Sequence, residues 1–148
     1  MEIKHLGDIF LVRLEAGEEV VESLRQFAGV QRIGFAALQA IGTFERVTLG
    51  YYDGKAKAYR NEEWEEPVEV LTMSGNITKG EDGDPMVHAH VIVGRSDYTT
   101  LGGHVVEATV GPTLEVFIET APTTIRRSHD PGTGLELWDL DRFEMQSA

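Results

Sequence analysis

The run Met86-Val87-His88-Ala89-His90-Val91-Ile92-Val93 constrains the fold of this chain more than any other segment. It is nearly continuous in apolar residues, which predicts a strand at the centre of a sheet and buried there. Alternate side chains of a strand share a face, so His88 and His90 project together. A second apolar run, Gly102-Gly103-His104-Val105-Val106, supplies a third histidine from a neighbouring strand. Three imidazoles converging from two strands can hold one metal ion and leave a position open for water or substrate, as catalytic zinc sites do. The other outcome is that each is a core or interface histidine satisfied by hydrogen bonds.

The rest of the chain reads as a single domain over 1–148, with an irregular C-terminal segment at 121–148. Ile9 to Val12 predicts a strand. Val20, Val21, Leu24 and Phe27 follow a helical repeat with one buried face, and Glu18, Glu19 and Glu22 favour the positive end of the helix dipole. Gly29 is the expected stop. Gly34 to Ile41 and Arg46 to Tyr52 predict two strands around Gly42-Thr43-Phe44-Glu45, and Val68 to Ile77 another, bulged at Ser74-Gly75-Asn76. Arg95 to Leu101 reads as a short helix or turn. His104 to Val110 and Leu114 to Thr120 read as strands parted by Gly111-Pro112. Ala121 to Gly134 reads as an ordered loop, and Leu135 to Leu140 as a last strand. The order suggests a repeated strand-helix-strands unit.

A net charge of -12 opposes autonomous binding to nucleic acid or an anionic membrane. The absence of cysteine excludes disulfides, thiol nucleophiles and cysteine metal sites. With no signal peptide in Met1 to Leu14 and no apolar run long enough to span a bilayer, a cytoplasmic location is expected.

Four segments in order carry a family resemblance: Leu14-Glu15-Ala16-Gly17-Glu18-Glu19-Val20-Val21-Glu22-Ser23-Leu24, Glu69 to Ile77, Pro85 to Val91, and Gly102-Gly103-His104-Val105-Val106-Glu107-Ala108. Together they resemble the PPC (plants and prokaryotes conserved) domain in its stand-alone prokaryotic form. The resemblance covers roughly residues 5 to 142. It implies an α/β (α+β) fold, a mostly antiparallel sheet flanked by a few helices, and a homotrimer. In plants the domain follows DNA-binding AT-hooks and serves protein contact; no Arg-Gly-Arg-Pro core occurs here. The fold is also similar to that of acetolactate decarboxylase and of a zinc-dependent ester hydrolase, both of which hold zinc with three histidines. On that resemblance His88, His90 and His104 map onto the metal ligands. Zinc is the expected metal, although nickel, copper and iron also accept imidazole.

The resemblance and the residues together point to metal-dependent small-molecule chemistry, of the hydrolysis or decarboxylation class, or to an interaction or regulatory module in which any metal is structural. Glu107 is the candidate general acid or base, the alternative being a partner for an arginine or a carboxylate on the strand face. Strand parity puts it on the face opposite His104, so it reaches the site only through a bulge or from a neighbouring subunit. Glu115 and Glu119 share a face with Phe117, expected to be solvated or an interface. The acidic stretch Glu62 to Glu66 reads as a solvated loop, which Trp64 is expected to anchor on the body of the domain or at a subunit contact. Arg126, Arg127 and His129 lie in the tail, where they either bind an anionic ligand near the site or are ordinary loop residues.

Overall fold

The computed structural model describes residues 1–145. Its elements are β1 (Glu2–Leu6), β2 (Ile9–Glu15), α1 (Val20–Val30), β3 (Ala36–Asp53), β4 (Ala58–Trp64), β5 (Val68–Lys79), β6 (Pro85–Gly94), β7 (Thr100–Thr120), β8 (Thr123–Asp130) and β9 (Leu135–Met145). All nine strands among the described residues belong to one sheet. Its pairings are antiparallel apart from a single parallel bridge between Lys79 of β5 and Arg126 of β8.

This corrects the expected helix-flanked α/β (α+β) fold. Among the described residues there is one helix and the chain is mostly β. The sheet does not need helices on both sides because it curls on itself. β3 pairs with β5 and β7, and β6 also pairs with β5 and β7, so these four strands close a circuit. Their inner faces bury one another: Leu38, Phe44 and Val47 of β3, Met73 and Ile77 of β5, Val91 and Val93 of β6, and Val110, Leu114 and Ile118 of β7. With one helix there is also no second strand-helix-strands unit. Arg95 to Leu101 is a turn closed by the Tyr98 N–H donating to the Arg95 carbonyl, and β7 starts at Thr100.

The helix forms where expected, but it runs through the expected stop at Gly29 and ends at Val30. Val20, Leu24, Phe27 and Ala28 are buried, and α1 packs on β6 and β7. The Glu19 carboxylate caps it, accepting from the Val21 and Glu22 N–H groups, which have no intrahelical partners. It also accepts from the Ala108 N–H of β7 at 3.1 Å, which ties the helix to the strand that carries His104.

Other expectations give way to long strands with bulges. The glycine signals at Gly42 and Gly111-Pro112 do not end strands; β3 and β7 run through them, with register shifts at Ala40/Gly42, Gly42/Phe44 and Phe44/Arg46. Gly42 has φ +148, and a Cβ there would collide with the Thr113 backbone. The irregularity in β5 falls between Val70 and Thr72, not at Ser74 to Asn76, because Gly75 is in register with Ala89. The segment from Ala121 is not an irregular loop: β8 and β9 pair as a hairpin. Its pattern misleads because Arg127 occupies an inward position where an apolar residue is expected. It is 6% exposed and is satisfied by hydrogen bonds instead. β6 is central, but only one face is buried in the core; His90 and Ile92 on the other face are exposed. None of the described helices is long and apolar enough to cross a membrane.

Candidate metal centre

Strand register assembles the site. On the outer face of the sheet His88 lies opposite Asn76 and His90 opposite Ser74, both on β5. On its other side His90 is the direct partner of His104 of β7, and His104 in turn lies opposite Gly50 of β3. Directly opposed residues have Cβ atoms about 4.5–5.5 Å apart, so the pairing alone brings two of the rings together. Ring centroids are 5.2 Å apart for His88 and His90, 5.1 Å for His88 and His104, and 5.5 Å for His90 and His104. One nitrogen from each ring lies within 4.8 Å of the others. Among the described residues these three alone form such a group of metal-ligating side chains.

Two of the rings, His88 and His104, are held neutral. Burial pushes His88 down to about 4, helped by the Arg127 guanidinium and by the crowding of the other two imidazoles, His104 and His90, against it. Burial also lowers His104, with His90 and Arg127 adding to the effect. A neutral imidazole keeps the lone pair that a metal needs. Nδ1 of His104 is buried and has no hydrogen-bond partner. An unpaired buried polar atom is costly, and a metal ion shared with His88 and His90 would satisfy it. Three imidazoles without a thiolate or carboxylate suit zinc and the later transition metals better than magnesium or calcium.

Arg127 supplies the second layer. Its Nε donates to the Thr78 hydroxyl at 2.9 Å, Nη1 to the Glu136 carbonyl at 2.7 Å, and Nη2 to Asn76 Oδ1 at 2.9 Å. The same Nη2 lies 3.2 Å from His88 Nδ1. Tyr59 of β4 covers His104, with ring centroids 4.9 Å apart. Sequence reasoning placed Arg127 in a loop, gave Asn76 only a bulge and no hydrogen-bonding role, and missed Thr78 and Tyr59. Asn76 was findable as the cross-strand partner of His88; nothing local marks Tyr59.

The remaining candidates lie elsewhere. Val106 is an extra residue between Leu49↔Val105 and Thr48↔Glu107, so the strand does bulge after His104. Glu107 is nevertheless drawn to Arg46 at 3.6 Å, in a hollow it shares with Glu19, Glu45 and Glu65. His5 stacks on Phe10 and His129 pairs with Glu136. Arg126 reaches Glu144 at 3.9 Å. Trp64 is half-buried against the core, as expected of an anchor. Glu115 and Phe117 line an open cleft of about 710 Å³ with Ile3, Leu11, Gln39 and Ile41. This cleft is not the histidine site but shares its face. One cross-strand row runs Leu11, Phe117, Gln39, Ser74, His90, His104.

The profile of the Plants and Prokaryotes Conserved (PCC) domain matches residues 1–122. This chain belongs to the PCC domain family. Among solved PCC-like structures, a protein from Bacteroides thetaiotaomicron provisionally described as DNA-binding is 30% identical, with a TM-score of 0.91 over 95% of this chain and 98% of its own. A metal-containing protein from Archaeoglobus fulgidus is 35% identical, with a TM-score of 0.79 over 93% of this chain and 96% of its own. Acetolactate decarboxylase from Bacillus subtilis shares only the fold, at 17% identity and a TM-score of 0.55, over 75% of this chain and 52% of its own. No curated protein matches the chain. The β8–β9 hairpin that delivers Arg127 falls beyond the residues matched by the PCC profile.

Proposed function

We propose that this PCC domain is a metal protein in which His88, His90 and His104 hold one divalent ion, zinc by preference, for chemistry on a small molecule. The observation that carries the reading is the convergence of three imidazole nitrogens within 4.8 Å of one another, beside a buried His104 Nδ1 that has no hydrogen-bond partner. The metal-containing relative from Archaeoglobus fulgidus supports it. When bound, such a metal supplies Lewis acidity, polarising a carbonyl or acidifying water. Hydrolysis and decarboxylation are the reaction classes that use this, the second by analogy of fold alone. The chain's own residues keep His88 and His104 neutral, shield one side of the site with Tyr59 and fix His88 through Arg127. An acid–base role for Glu107 requires delivery from a neighbouring copy, since in its own chain it pairs with Arg46.

The test is metal content of untagged protein beside the His88→Ala, His90→Ala and His104→Ala variants. Near-stoichiometric metal in the parent, lost in folded variants, is the expected result. A parent that takes up no metal even after incubation with zinc would overturn the proposal.

A second reading rests on a different observation. Ile3, Leu11, Ile41, Ile92 and Phe117 are exposed together on the outer face. Exposed apolar surface of this kind marks an interface. We infer a homotrimer that covers this face, a non-enzymatic interaction role being the alternative to catalysis. Light scattering at micromolar concentration should give three times the chain mass, and a monomer would refute it. The net charge of -12 speaks against DNA as the partner, despite the description of the Bacteroides relative. A cysteine-free chain suits the cytoplasm, which we take as its compartment.

A further inference from the structure

The three ligands carry no negative charge, and the charged group closest to them is another cation. Arg127 is 6% exposed and forms no ion pair among the described residues. Glu136 acts on it through space, but the Glu136 carboxylate is 3.2 Å from His129 Nδ1, and Arg127 takes only its backbone carbonyl. A buried guanidinium without a counter-ion is expensive to keep. Beside a dication on neutral imidazoles it is more so, since no acidic side chain belongs to the cluster. An anion from outside the chain would supply the missing charge.

The hydrogen bond between Arg127 and His88 shows when this happens. A guanidinium only donates, so His88 Nδ1 accepts and the neutral ring carries its proton on Nε2. A metal that takes His88 through Nδ1 displaces the Arg127 hydrogen. A metal that takes Nε2 moves the ring proton to Nδ1, where two donors face each other. Either way, loading His88 releases one N–H of Nη2 next to the His88 ring. Thr78, Asn76 and the Glu136 carbonyl still hold the guanidinium in place.

We infer that the site takes a small carboxylate, bound jointly by the metal and by the Arg127 N–H that metal loading frees from His88. This rests on the metal reading above and adds a ligand class and an order of binding to it. Carboxylates match both partners: they ligate the metal through oxygen and accept charge-assisted hydrogen bonds from a guanidinium. The linkage is reciprocal, so the carboxylate also tightens the metal.

Cobalt(II) as the metal and acetate as the probe test this, read by the visible absorption of cobalt. One equivalent of cobalt should give a site-bound band, and acetate should shift it saturably while acetamide, its uncharged counterpart, does not. Arg127→Gln should bind cobalt but weaken acetate at least tenfold, with folding checked by circular dichroism. Should that variant not fold, Arg127→Lys, which keeps the charge but lacks the fork, should weaken acetate at least threefold. Unchanged acetate affinity in the folded variant overturns the inference, as does a cobalt band that acetate leaves unmoved. No cobalt band at all instead defeats the metal reading beneath it.

Discussion

Gly75→Ala is the sharpest perturbation of the site that touches none of its side chains. Gly75 of β5 lies in register with Ala89 of β6, between the pairs that carry His88 and His90. A Cβ at Gly75 would stand 2.7 Å from Ala89 Cα and 2.9 Å from Ala89 Cβ, and closer still to the His88 carbonyl oxygen. Ordinary van der Waals separation begins at 3.4 Å, so clearing the Ala89 backbone carbon alone needs 3.4 − 2.7 = 0.7 Å of strand displacement. The obstacles are mostly backbone, which no rotamer change can move aside. Overpacking of this kind costs up to about 3 kcal/mol. For a domain of this size that lowers Tm by roughly 6–12 °C. The same displacement exceeds the tolerance of about 0.5 Å within which a site must be held, so zinc affinity should fall with stability. The assay is thermal unfolding by circular dichroism, with zinc binding measured by competition against a chromophoric chelator. Gly29→Ala is the control: its Cβ would meet only Pro85 Cγ at an ordinary 3.7 Å, inside a helix. It should gain about 0.5–1 kcal/mol and leave zinc binding alone. A Gly75→Ala protein that melts with the parent and binds zinc as tightly would refute the close approach of β5 and β6.

Two further outcomes follow from the same structure. Ile41 is 58% exposed on the apolar outer face, so Ile41→Asp should lower the scattering mass from trimer to monomer while leaving the circular dichroism spectrum unchanged; an unchanged mass would exclude that face as the interface. In metal-free protein, His88 has a folded pKa near 4 against an ordinary 6.5, so the unfolded chain binds the extra proton between those values. Stability should therefore fall as the pH drops from 6.5 toward 4 and be insensitive to this group above 6.5. Urea midpoints at pH 4.5, 5.5 and 7 should show a shallower fall in His88→Gln than in the parent, and parallel profiles would disprove the neutral, buried ring.

The residues alone determined a good part of this protein. Period-two alternation within Met86 to Val93 put His88 and His90 on one face, and a helical repeat put Val20, Leu24 and Phe27 on another, because both patterns are local consequences of backbone geometry. The four ordered segments led to the right family for the same reason: each is contiguous in the chain. Long-range pairing decided the rest. That His104 sits opposite His90 depends on the register of β6 against β7, which no local pattern encodes. Gly42 and Gly111 resemble turn signals, yet the strands bulge through them, since pairing with neighbours on both sides offsets the cost of continuing. The helix-flanked sheet failed because a closed circuit of strands buries its own inner face, and closure is a property of the whole chain. Arg127 is the clearest case. A charged residue in a segment rich in Thr, Pro and Gly reads as surface loop, and only the folding of β8 against β5 supplies the Thr78 and Asn76 oxygens that make its burial tolerable beside His88.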